Sequence, residues 1–120
     1  MSRETAKGTW FEREVADFLA EELGSDFIER KAKSGSADEG DIAGVRLPDG
    51  GKVAVECKNR ARLDIPGWLR EAEVERRNYG AEVGIVVYKL RGVGAAHMGD
   101  QAVAMTLSTL AALLKSRKEQ

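Results

Sequence analysis

Three ionisable side chains, Asp41, Glu56 and Lys58, sit in the segment GDIAGVRLPDGGKVAVECKNR (residues 40–60), which otherwise reads as a pair of apolar strands. Ionised groups placed in a core cost several kcal/mol unless they are paired or bind a metal, so these three need a chemical reason to be there. Strand geometry gives them one. Val53, Val55 and Cys57 alternate to one face, toward a covering helix, while Ala54, Glu56 and Lys58 take the other, with Glu56 and Lys58 about 7 Å apart along the strand. Asp41 opens the partner strand of a hairpin closed by PDGG and reaches the same end of the sheet. Two carboxylates beside a lysine make a hard-cation site with a group that can move a proton or orient a water. A simple Asp–Lys or Glu–Lys ion pair would explain a lone E-x-K; Asp41 at hairpin distance weighs against it.

A fourth acid belongs to this group. At about 100° per residue, Glu12 falls between Leu19 and Leu23 on the apolar stripe of the first helix, while Glu14 and Asp17 fall outside it. Glu22 also lies within the stripe but in the last turn, where fraying exposes it. One cysteine, Cys57, allows no internal disulfide, and one histidine, His97, leaves no Cys/His zinc site. A metal here needs mainly oxygen ligands, which favours Mg²⁺, with Mn²⁺ as a substitute.

The elements that must position these residues form one alternation without repeats. Helical spacing of Phe11, Val15, Phe18, Leu19 and Leu23 predicts a helix from about Thr5 to Leu23, stopped by Gly24. Asp26 to Lys31 reads as a strand, and KSGSADEG (33–40) as a loop. Asp41 to Leu47 and Lys52 to Lys58 form the hairpin, and Pro66 opens a second helix that runs to about Tyr79 before Gly80. EVGIVVYKL is a buried strand, RGVGAAHMGD a connector, AVAMT a short strand, and Leu107, Leu110, Leu113 and Leu114 mark a last amphipathic helix. The order α-β-β-β-α-β-β-α predicts an α/β fold with a mixed sheet flanked by helices, in a single domain over residues 1–120.

Apolar and charged fractions of 42% and 32% fit a globular chain, and no apolar run approaches the roughly 20 residues of a membrane span. The opening MSRETAKGTWFERE has no signal-peptide apolar region, so the expectation is a cytoplasmic protein with no membrane partner. The net charge of −1 hides an asymmetry: residues 1–29 carry eight acids and three bases, and residues 30–120 carry twelve acids and sixteen bases. Local clusters (Arg30, Lys31 and Lys33; Lys58, Arg60 and Arg62; Arg76 and Arg77; Lys89 and Arg91) flank the acidic strands, as a phosphate-facing side would.

Taken together, these residues resemble the PD-(D/E)XK nuclease superfamily, and more closely its archaeal-type and phage-type Holliday junction resolvases, over nearly the whole chain. KGTWFERE (7–14) is similar to that family's opening helix, with Glu12 in the metal-site position. KSGSADEG is similar to its serine-containing loop, making Ser34 and Ser36 candidates for phosphate contact. GD at 40–41 stands where the superfamily often has PD, so Gly40 is a departure while the acid is intact, and ECK (56–58) is the E-x-K element. The resemblance implies a restriction-endonuclease-like sheet and Mg²⁺-dependent hydrolysis of branched DNA by a homodimer, with a phage or prophage origin. It implies catalytic roles for Glu12, Asp41, Glu56 and Lys58. It assigns the metal to Glu12, Asp41, Glu56 and the backbone carbonyl of Cys57, and DNA contact to Arg30, Lys31, Lys33, Ser34, Ser36, Arg60 and Arg62. A carbonyl ligand leaves the middle residue of E-x-K free to be of any type, so Cys57 reads as a small buried side chain. Two other readings stand beside this one: a nuclease of the superfamily with another DNA target (restriction, repair or end processing), and a nuclease-fold DNA-binding protein without catalysis.

The remaining conspicuous residues have simpler readings. Trp68 is expected as a packing or interface anchor, Trp10 lies off its helix's apolar stripe, and His97 sits exposed in a Gly-rich loop. The glycines of RGVGAAHMG are followed by no Gly-Lys-Ser/Thr, so no nucleotide cofactor is expected. Dimer contacts are sought on the second helix around Trp68 and Leu69, on the strand GIVVY and on the last helix, the first two being favoured.

Overall fold

A computed structural model of the chain describes residues 3–32 and 37–118. It contains α1 (Arg3–Leu23), β1 (Glu29–Arg30), β2 (Ile42–Ala43), β3 (Val53–Lys58), α2 (Ile65–Tyr79), β4 (Val83–Tyr88), a 3₁₀ segment (Ala95–Asp100), β5 (Ala102–Ala104) and α3 (Leu107–Lys115). The α/β class and the order of helices and strands are those expected, with the 3₁₀ segment placed in the expected connector. The five strands lie side by side in chain order. Neighbours are antiparallel except β3 and β4, which run parallel because α2 carries the chain back across the sheet between them. Among the described residues, no helix is long and apolar enough to cross a membrane.

Strand alternation divides the core into two layers. Val53 and Val55 of β3 and Val83 and Val87 of β4 join Phe11, Val15 and Ala16 of α1, with Ala112 and Leu113 of α3 packed against them. On the opposite face Val86 meets Trp68 and Ala72 of α2. Parallel register pairs Glu56 with Val86 and Lys58 with Tyr88, so the two charged residues of E-x-K face α2. A Cβ on Gly84 would stand 2.7 Å from the Ala72 carbonyl. The bare backbone there lets α2 lie close on the sheet, which brings the acids of α2 to β3.

The hairpin is shorter than the sequence implies. The PDGG turn closes as expected, with Gly50 and Gly51 bonded back to Leu47. The strand expected over Asp41–Leu47, however, is regular only at Ile42–Ala43, and resumes as a single bridge between Arg46 and Lys52. Gly44 breaks it, adopting φ +88° where any side chain would collide with the Phe27 carbonyl. The strand expected over Asp26–Lys31 is likewise regular only at Glu29–Arg30. In α2, Asp64 caps the N-terminus by accepting from Gly67, and Gly80 ends the helix in the left-handed conformation.

Of the interface candidates, Trp68 of α2 and Val86 and Val87 of β4 pack into the protein's own core, while Leu69 is only partly buried. Trp68 is 5% exposed and its ring lies 5.6 Å from that of Tyr88, while β4 is hydrogen-bonded on both edges. Leu107, Leu110 and Leu114 of α3 remain at the surface.

Candidate active site

At the end of β3 the chain encloses a cavity of about 350 Å³, lined by Glu12 from α1, Arg30 from β1, and Asp41, Glu56, Cys57, Lys58 and Arg60 from the sheet end. All four residues expected to carry chemistry thus meet in one place, and all four are buried.

Each is placed by its own local device. Asp41, 2% exposed, is tied into the sheet by its backbone: its N–H donates to the Val55 carbonyl and its carbonyl accepts from Lys31, both at 2.8 Å. Its Oδ2 accepts the Cys57 N–H at 2.8 Å, which holds the carboxylate against the middle of E-x-K. Gly40, where the resemblance drawn from the sequence expects proline, has φ +98°, and a Cβ there would meet the Val55 carbonyl at 3.1 Å. Proline, fixed near −65°, cannot take that conformation, so this chain reaches the acid through a glycine. Glu12 accepts from Arg30 Nε at 3.0 Å. Lys58 Nζ lies 3.2 Å from Glu56 Oε2 and 2.8 Å from Glu71 Oε2 on α2.

Two functional candidates, Asp38 and Glu75, escaped the sequence reading. Glu75 of α2 is 2% exposed, as buried as Asp41, and neither of its oxygens has a hydrogen-bond partner. One oxygen each of Asp38, Glu56 and Glu75 lies within 4.8 Å of the others, so this trio could hold a metal ion. Glu75 follows Trp68 by seven residues and Ala72 by three, which places it on the buried stripe of α2, as Glu12 sits on that of α1. The signal was in the spacing.

The cluster's electrostatics follow from its burial. Desolvation, with the Asp41 and Glu75 carboxylates beside it, pushes Glu56 far above the usual carboxyl range despite Lys58. Desolvation likewise raises Glu75; its close approach to Glu56 works against this, while Asp38, Asp41 and Glu71 add to it. At Lys58 burial pulls the pKa down, but the Glu71 hydrogen bond and the Glu56 charge outweigh it, so the side chain stays an ammonium at neutral pH. Burial pushes the Cys57 thiol up, as expected of a packing residue.

A stability prediction follows. Carboxyls raised from 4.5 bind protons more tightly folded than unfolded, so the stability they contribute is complete below pH 4.5 and is lost as the pH rises above it. Glu75→Gln is therefore expected to raise the Tm of the metal-free protein at pH 8 by several degrees and to change it little at pH 4.5. Thermal melts at both values check this; a lower Tm for the variant at pH 8 would contradict the assignment.

The residues expected to contact DNA fare differently. Arg30 and Arg60 line the cavity. Arg60 also lines an adjoining groove with Lys7, Lys89 and Arg91, and Arg62 is exposed nearby in sequence. Lys31 is turned elsewhere, 3.5 Å over the Tyr79 ring and 3.9 Å from Glu39. Lys33, Ser34 and Ser36 lie outside the described residues. Trp10 is 38% exposed on α1, and His97 is exposed in the 3₁₀ segment, away from the cavity.

Comparison with protein-family models, with curated proteins and with solved structures finds no significant match to this chain. The functional reading therefore rests on the geometry of the site.

Proposed function

We propose that the protein is a metal-dependent endonuclease of the PD-(D/E)XK type that hydrolyses phosphodiester bonds in branched DNA, with the four-way junction as its substrate. The observation that carries this reading is the convergence of Glu12, Asp41, Glu56 and Lys58 on one cavity whose rim is basic. The donor set fits Mg²⁺ or Mn²⁺: it consists of buried carboxylates gathered at one end of the sheet. Asp41, Glu56 and the Cys57 carbonyl would hold the cation, with Glu12 direct or through water. A bound divalent cation supplies charge neutralisation at the scissile phosphate and acidifies a water.

The chain's own groups supply the rest. Lys58 is held as an ammonium by Glu71 and Glu56, so it acts by donating hydrogen bonds to the attacking water or to the phosphate oxygens rather than by removing a proton. Arg30, oriented by Glu12, and Arg60 at the mouth of the cavity face the DNA backbone. A four-way junction presents two symmetric scissile bonds, and one site per chain serves both when two copies act together. The exposed leucines of α3 offer one apolar surface for that pairing.

Cleavage of end-labelled junction DNA with Mg²⁺, and its loss on adding EDTA, tests the reading; cutting that persists without divalent metal would overturn it. The basic rim makes a separate prediction. Replacing Arg60 and Arg62 together by Ala is expected to weaken junction binding and to flatten the plot of log affinity against log salt, by about one unit for each phosphate that is no longer neutralised. Titrations across a salt series measure the slope, and an unchanged slope would return both side chains to ordinary surface charge.

A further inference from the structure

The cavity accounts for one side of Glu56 and leaves the other unexplained. Oε2 of Glu56 is bonded to Lys58, whereas Oε1 is buried without a partner, and beyond it on α2 stands Glu75 with both oxygens in the same condition. Glu75 lines no part of the cavity at the end of β3, and no lysine or arginine is paired with it among the described residues. Two carboxylates facing each other in a dry place are reconciled either by a shared proton or by a cation between them.

Asp38 decides between the two. It brings a third carboxylate to the same point, which a shared proton does not need, and it is exposed, which gives an ion access from solvent. Its loop is tied down for the purpose: the Asp38 carbonyl accepts from Asn78 on α2 at 2.8 Å, and its Oδ1 accepts the Gly40 N–H at 3.0 Å. Oxygens that share a cation stand no further apart than twice the metal–oxygen distance, about 4.2 Å for Mg²⁺ and about 4.8 Å for Ca²⁺. The three oxygens lie within 4.8 Å of one another, close enough for one hard divalent cation to draw them together.

We propose that Asp38, Glu56 and Glu75 form a second hard-divalent cation site on the α2 side of β3, distinct from the cavity site and joined to it through Glu56. Glu75 is its anchoring ligand, Asp38 its solvent-side ligand, and water completes the coordination. Because Glu56 serves both positions, filling the α2-side site fixes the carboxylate that the cavity site uses. The inference stands whether or not the protein cuts DNA, since it concerns cation binding alone.

The test is titration of the full chain with Mn²⁺ in the absence of DNA, counting bound ions by electron paramagnetic resonance of the free ion. The wild type is expected to bind two equivalents. Glu75→Gln should bind one, and Asp41→Asn should also bind one, losing the cavity ion and keeping that of the α2 side. Asp38→Asn, a change at an exposed position that leaves the buried pair untouched, should weaken the second equivalent at least tenfold and guards against a folding defect in Glu75→Gln. One equivalent in the wild type, unaffected by either Glu75→Gln or Asp38→Asn, would overturn the proposal and leave Glu56 and Glu75 sharing a proton. Two equivalents in a protein that cuts no DNA would uphold it while removing the nuclease reading.

Discussion

Glu56→Gln and Asp41→Asn are each expected to lower the single-turnover rate of junction cleavage by a factor of about 10³ or more while leaving junction binding intact or tighter. The size follows from the several kcal/mol of transition-state charge stabilisation that a held divalent cation contributes, at about 1.4 kcal/mol per tenfold in rate. For Asp41→Asn the direction of the binding change follows from removing a carboxylate next to a phosphate, whereas Glu56→Gln, at a group that burial already disfavours as an anion, is expected to leave binding level. Loss of fold is not an escape from this prediction. Glu56 is a buried acid whose charged form is disfavoured by desolvation, so its amide is expected to stabilise the metal-free protein above pH 4.5. At Asp41 an amide oxygen can still accept the Cys57 N–H. A more stable protein that binds the junction and does not cut it is the expected signature; either variant retaining cleavage within tenfold of wild type would place the metal elsewhere.

Lys58→Ala should reduce the cleavage rate roughly 10²–10³-fold, the range for loss of one hydrogen-bond donor to the charge that develops in the transition state. Metal affinity is expected to stay level or to tighten slightly, because the ammonium 3.2 Å from Glu56 competes with a cation for the same carboxylate. The variant leaves Glu56 and Glu71 without their shared partner, so rates belong at a temperature well below its Tm. Cleavage within threefold of wild type would reduce Lys58 to a structural ion pair.

Much of this arrangement was legible in the sequence because two periodicities report directly on position. The period of two along β3 put Glu56 and Lys58 on the face opposite Val53 and Val55, and the register with β4 shows them there. The helical period put Glu12 among apolar neighbours, and it is 8% exposed. The same rule applied to α2 would have exposed Glu75, which occupies a stripe otherwise taken by Trp68 and Ala72. What a one-dimensional pattern does not contain is the approach of distant segments. Gly44 looks like a residue within a strand until the Phe27 carbonyl is brought against it, and Lys31 looks like part of a basic cluster until Tyr79, 48 positions later, lies beneath its ammonium. Trp68, read as a packing or interface anchor, takes the packing role against Tyr88 and Val86.

The central claim is that Glu12, Asp41, Glu56 and Lys58 together cut branched DNA. Its most direct measurement is the mapping of cut positions on three end-labelled substrates of the same sequence, a four-way junction, a linear duplex and a single strand, with Mg²⁺ and with Asp41→Asn as the blank. Paired cuts placed symmetrically across the junction are expected, with neither linear substrate cut at a comparable rate and no product from the variant. Nicking of the linear duplex as fast as the junction would contradict the substrate assignment, and tight binding of all three with no cut in any would contradict catalysis itself.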